Sequence, residues 1–193
     1  MHTRSVPIAV LALSLLLNNM PVGAADGAFG LSEGKAGAIH SGMTIDELYG
    51  AVGRENTRLV DKFAEGYFSP AIEVYSNVGG RAKVSLRVEV VAESAKFLAG
   101  RITVYDARFK TEAGIGVGST LSDIRQAYKV DWITFGEGPL IARVEQIGMS
   151  FALDFTNPPN DWYKTHDQTL IPGSARVTFI LLADGTSGRN KSN

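Results

Sequence analysis

The stretch Gly114–Ile124, GIGVGSTLSDI, puts three glycines on alternate positions ahead of a short amphipathic run. A glycine-rich turn before a helix can cradle a phosphate, which would make this an enzyme. It can also be a plain helix start. The dinucleotide fingerprint is G-x-G-x-x-G, and the third glycine here falls one residue early. No Lys precedes Ser119 or Thr120, so it is not a phosphate-binding P-loop. What remains is a turn followed by Thr120-x-x-Asp123, the spacing of a capping box. There the hydroxyl accepts from a first-turn N–H and the carboxylate sits at the positive end of the helix dipole.

The same stretch occurs twice. Ala38–Gly53, AIHSGMTIDELYGAVG, matches Gly114–Lys129, GIGVGSTLSDIRQAYK, at one constant offset. Ile39 meets Ile115, Gly42 meets Gly118, and Thr44 meets Thr120, while Ile45, Glu47 and Leu48 meet Leu121, Asp123 and Ile124. FAEG at 63–66 recurs as FGEG at 135–138 in the same order. Two matched blocks in the same order predict an internal duplication. Ile45, Leu48 and Val52 share one helix face, as do Leu121, Ile124 and Tyr128. Gly53 closes the first helix, Met43 and Leu48 can form a hydrophobic staple, and the second helix has no glycine stop.

Between these starts the pattern is strand. KVSLRVEVV (83–91) alternates apolar and polar cleanly, and AIEVYS, RITVYDARF, ARVEQIG and MSFALDF read similarly. ARVTFILLA (175–183) is apolar on both faces and reads as a central strand. The expected fold is therefore α+β. It is a tandem repeat of one short capped helix and about four antiparallel strands, with the two sheets continuous or packed together. The expected boundaries are a flexible segment over 25–38, a first repeat over 39–109, a second over 110–183 and a disordered tail over 184–193.

The chain opens with Arg4, an apolar run from Val6 to Leu17, and small residues through Ala24. The run is too short to span a bilayer and reads as a secretory signal cleaved after Ala24 or Ala25. With no cysteine in the 193 residues, neither a lipid anchor nor thiol chemistry nor a disulfide framework is open to it. A periplasmic location follows, with secretion as the alternative. The net charge is −1 and spread along the chain, which excludes the basic stripe of a nucleic-acid binder.

The glycine, the Met43-Thr44 pair and the short capped helix before a small antiparallel sheet resemble the repeat of the β-lactamase inhibitory proteins. They also resemble the related small outer-membrane assembly lipoproteins. The likeness rests on SGMTIDELYGAVG and, more weakly, on VGSTLSDIRQAYK. It implies a non-enzymatic protein whose sheet and loops grip a partner protein. The inhibitors' repeats carry cysteines and this chain has none, so no contact residue transfers.

Three places carry candidate chemistry. Glu65 and Glu137 occupy matching positions of the repeated FxEG block; they read as turn residues, with calcium or small-molecule binding as the alternative and acid–base catalysis third. His40 and His166 lack the spacing of a zinc site. The irregular segment from Thr156 to Gly173 is long for a loop in a compact domain, and such loops tend to be functional. Its Trp162 and Tyr163, with His166 beside them, have the composition of a protein-binding hot spot. An alternative leaves Trp162 folded back onto the sheet. The expectation is thus a non-enzymatic binding protein of the cell envelope that engages a partner protein or an envelope ligand through its sheet face and this loop, with no cofactor, no nucleic acid and no membrane anchor. An unrecognised hydrolase is the third reading.

Overall fold

The computed structural model describes residues 27–64, 66–136 and 138–183. The expected signal segment, the tail from 184, Glu65 and Glu137 lie outside the described residues. The chain begins with three two-residue strands, β1 (Leu31–Ser32), β2 (Lys35–Ala36) and β3 (Ile39–His40), which form a small antiparallel sheet. The helix α1 (Ile45–Val52) then leads into β4 (Thr57–Ala64), β5 (Tyr67–Val78), β6 (Arg81–Glu93) and β7 (Lys96–Val104). After a linker, α2 (Leu121–Ala127) leads into β8 (Trp132–Phe135), β9 (Leu140–Val144), β10 (Met149–Leu153), the short helix α3 (Asn160–Thr165) and finally β11 (Val177–Leu182). The large sheet has eight antiparallel strands in the order β4-β5-β6-β7-β11-β10-β9-β8. The last strand of each half meets the other at the centre.

Both helices start where the sequence places them. Thr44 accepts from the Glu47 N–H at 3.3 Å, and Glu47 accepts from the Thr44 N–H at 2.7 Å. Thr120 and Asp123 repeat the exchange at 3.1 and 2.8 Å. Each start is also tied to the last strand of its own half. The Gly42 N–H donates to Ala99 and the Ala99 N–H to Met43, at 2.7 and 2.8 Å; Gly118 with Val177, and Val177 with Ser119, do the same at 2.8 Å. The glycines that permit this tight entry, Gly42 and Gly118, have φ of +83° and +87°, where an L side chain is strained.

All of the helices and the small sheet pack on one face of the large sheet. That face contributes Ile72, Val74, Leu86, Val88, Ile102, Val104, Ile180 and Leu182. It is covered by Leu31 and Ile39 of the small sheet, Leu48 of α1, Leu121 and Ile124 of α2, and Trp162 of α3, in one continuous core. The segment expected to be flexible over 25–38 is ordered from residue 27 onward. Leu31 and Ala36 are buried, and its backbone pairs with the linker between the halves through Leu31 N–H to Lys110 and Lys110 N–H to Phe29. Its glycine content supplies turns rather than looseness, Gly34 and Gly37 taking φ of +63° and +58°.

Candidate functional site

The segment 156–173 is less irregular than its composition suggests, holding α3 and a 3-10 turn at Gln168–Leu170. His166 ends α3 in a left-handed conformation, φ +52°, its N–H donating to Trp162 at 2.8 Å. Arg125 of α2 pins the following turn by donating to the Gln168 carbonyl at 2.6 Å, and the Gln168 amide donates to the Asp131 carbonyl at 3.2 Å. The structure keeps the three residues expected to form one hot spot in contact, Trp162 lying 5.5 Å from the Tyr163 ring and 5.4 Å from the His166 ring, but divides them by exposure. Trp162 is only 2% exposed, its ring edge-on to Phe135 at 5.5 Å, so it caps the sheet and offers a partner no surface. Its indole N–H is buried without a hydrogen-bond partner. Tyr163 is 51% exposed and stacks on Phe135 at 5.9 Å; His166 is exposed. A recess of about 390 Å³ joins this segment to the sheet edge, lined by His166, Gln168 and, from β8, Trp132, Ile133 and Thr134.

The second surface is the face of the large sheet that no described helix covers. Strand register assigns to it Glu73, Arg87, Thr103 and Leu181, each paired across to the next strand. The buried residues Ala71, Ile141 and Ala152 point this way, outside the core cluster. So do the buried polar residues Glu73, Thr103 and Ser150. Arg87 donates to Glu73 at 2.6 Å and lies over the Tyr105 ring, while Glu89 accepts from both Lys62 and Arg101 at 2.7 Å. Burial pushes the Glu73 and Glu89 carboxyls up, but their hydrogen bonds to Arg87 and Tyr75, and to Lys62 and Arg101, outweigh it and hold both below the usual carboxylate range. Arg58 and Arg143 stand on the same face opposite Glu73 and Ser150. It is a polar, cation-rich surface built on rigid strands.

A third surface was not foreseen from the sequence. At eight residues α1 is about 12 Å long, whereas β5 and β6, at 12 and 13 residues, run to about 40 Å. The sheet therefore overhangs its helix. Between α1 and β4–β7 lies a groove of about 710 Å³. Beyond it, Phe63 and Phe68 are cross-strand partners with rings 5.0 Å apart, both strongly exposed. Leu59 and Phe63 share one face of β4, with the polar Asp61 between them. That their face is uncovered depends on the length of a helix elsewhere.

Among the described residues no group of three or more His, Cys, Asp or Glu is placed to hold a metal ion. No described helix is long and apolar enough to cross a membrane. No family model matches the chain, and no curated protein matches it either. Among solved structures it is similar to the uncharacterized protein yfeY from Escherichia coli, at 18% identity and a TM-score of 0.53, over 79% of this chain and 95% of that one. The likeness is one of fold.

Proposed function

We propose that this chain is an exported, non-enzymatic binding protein of the cell envelope, which engages a partner protein through the open sheet face and the 156–173 segment. The observation that carries this reading is the recess at β8. There Trp132 and the segment's His166 line one concavity, so the two surfaces expected to bind adjoin, with Tyr163 exposed nearby. Rigid strands beside a pinned helix lose little entropy on binding. Trp162 serves from beneath, holding α3 against Phe135.

We also infer that the two halves descend from one duplicated helix-and-meander unit. The matched capping boxes, the matched ties of each helix start to its last strand, and the mirrored strand order support it. The resemblance of SGMTIDELYGAVG to the inhibitory-protein repeat adds the expectation of a protein partner. Export rests on Arg4 and the apolar run to Leu17, and the mass of the protein recovered from periplasm should correspond to cleavage after Ala24 or Ala25.

The binding surface can be tested in cells with a photoreactive side chain placed at Tyr163, Trp132 or Arg101, and at Glu112 as an exposed control off both surfaces. A discrete cross-linked adduct from the first three and not from the control is expected. Adducts from none of the three, in cells that make the protein at its normal level, would remove this surface as the site.

A further inference from the structure

The groove between α1 and the outer half of the sheet has a built polarity. Its walls are apolar: Ile45 and Tyr49 come from the helix, and Leu59, Pro70, Val90 and Phe97 from the four strands β4 to β7. Its volume, about 710 Å³, lies within the range usual for small-ligand sites, about 300–1,000 Å³. At the C-terminal end of α1 stands Arg54, its guanidinium 4.6 Å over the Tyr49 ring, with no ion pair among the described residues. At the other end, where Thr44 bridges to Leu98, the lining holds Lys96 and Asp46, charges of opposite sign. Past that end the same face of β4 and β5 carries the exposed Asp61, paired across to Pro70, and then the exposed Phe63 and Phe68. The site is thus elongated and its lining carries a net positive charge, Arg54 and Lys96 against Asp46, with exposed apolar rings beyond the Lys96 end.

We propose that this groove binds a single-chain anionic amphiphile, a free long-chain fatty acid. Its carboxylate would pair with Arg54 and its acyl chain would lie along Leu59, Pro70 and Val90 toward Phe97. The charge and the shape argue together. A neutral or cationic ligand leaves Arg54 without a counterion, and a compact one leaves Leu59 and Phe97, each 65% exposed, in water. Arg54 resting on Tyr49 is already oriented, so little side-chain entropy is lost when the carboxylate arrives. This site is separate from the β8 surface and stands or falls independently of it.

The test is a fluorescence titration of the purified chain with cis-parinaric acid and, in parallel, its methyl ester. Saturable one-to-one binding of the acid is expected, with the ester about tenfold weaker, roughly 1.4 kcal/mol. Arg54→Gln should bring the acid down to the ester's affinity and leave the ester unchanged. Leu59→Asp and Phe97→Asp should each weaken both ligands by at least about tenfold. Both side chains are largely exposed, so circular dichroism of these variants should stay native. Trp132→Ala with Tyr163→Ala should leave the titration unaltered, which separates this site from the β8 surface. Absence of saturable binding, or binding indifferent to Leu59 and Phe97, overturns the proposal. So does sedimentation of the chain with anionic phospholipid vesicles when monomeric parinarate does not bind, since the overhang would then be a membrane-contact surface.

Discussion

Asp106 follows β7, where the chain leaves the first half, and gathers donors from three places. It accepts from Ser76 at 3.1 Å and Ser85 at 2.9 Å, and from the Arg108 backbone N–H at 3.0 Å; the Arg108 guanidinium donates to both its oxygens. Burial alone would push this carboxyl up, yet these donors hold it far below the ordinary carboxylate range. Because its folded pKa is depressed, the stability it contributes is fully present above the ordinary value of 3.8 and is lost as pH falls through the lowered folded value. Asp106→Asn should therefore cost about 2–3 kcal/mol at neutral pH. In urea titrations the gap between the two proteins should narrow below pH 3.8. A gap that stays constant into strong acid would show that the carboxylate charge is not what holds this corner. The neighbouring aromatics of α3 divide in the same way by environment. Trp162→Ala should cost about 3–5 kcal/mol, because it opens a cavity under α3. Tyr163→Ala should cost only about 1 kcal/mol, the worth of its stack on Phe135. A binding defect in a Trp162 variant would thus report unfolding, and Tyr163 is the residue on which to test the site.

At eight and seven residues, α1 and α2 are too short to hold as isolated helices. Their caps and their buried faces decide whether they form. Thr44→Ala and Thr120→Ala should each lower unfolding free energy by about 1 kcal/mol, read by chemical denaturation. The loss at Thr44 should be the larger, since its hydroxyl also donates to Glu47 at 2.8 Å; a negligible loss at either would mean that its ties to the adjoining strand suffice alone. The strands differ by position. β4 is an edge, and its exposed Leu59 and Phe63 have no covering element among the described residues. Amide exchange should be fastest in β4 and the end of β5 near Phe68, and slowest in β7 and β11. Strong protection of β4 in the free protein would mean that something pairs with this edge in solution.

The halves meet along β7 and β11 through three registered pairs, Val104 with Ile180, Thr103 with Leu181, and Ile102 with Leu182. That seam is short, but Val104, Ile102, Ile180 and Leu182 are fully buried in a core that runs unbroken across it. The molecule should unfold in a single transition by calorimetry. Ile180→Ala, which hollows the seam, should lower stability by about 2–5 kcal/mol without splitting that transition. Residues 39–109 and 110–183 made as separate fragments should each fail to fold, because each would expose its side of the seam and retain too little core. Two resolved transitions would show two independent domains joined edge to edge.

Thr44 and Thr120 were legible as helix starts because a cap is a local device: four consecutive residues contain the hydroxyl, the carboxylate and both backbone donors. Strands such as Leu86 to Val90 were legible because a half-buried pleat writes its period of two into the chain. Gly34 and Gly37 misled, since the same composition makes a loose tail or a tight turn, and only the burial of Leu31 and Ala36 distinguishes them. Trp162 was equally undetermined, as an indole suits a hot spot and a core alike; Phe135, 27 positions away, settles that it is core. The groove lay beyond local reading altogether. It arises from the mismatch between an eight-residue helix and strands of 12 and 13 residues brought beneath it, a relation of lengths across the chain that no window of sequence contains.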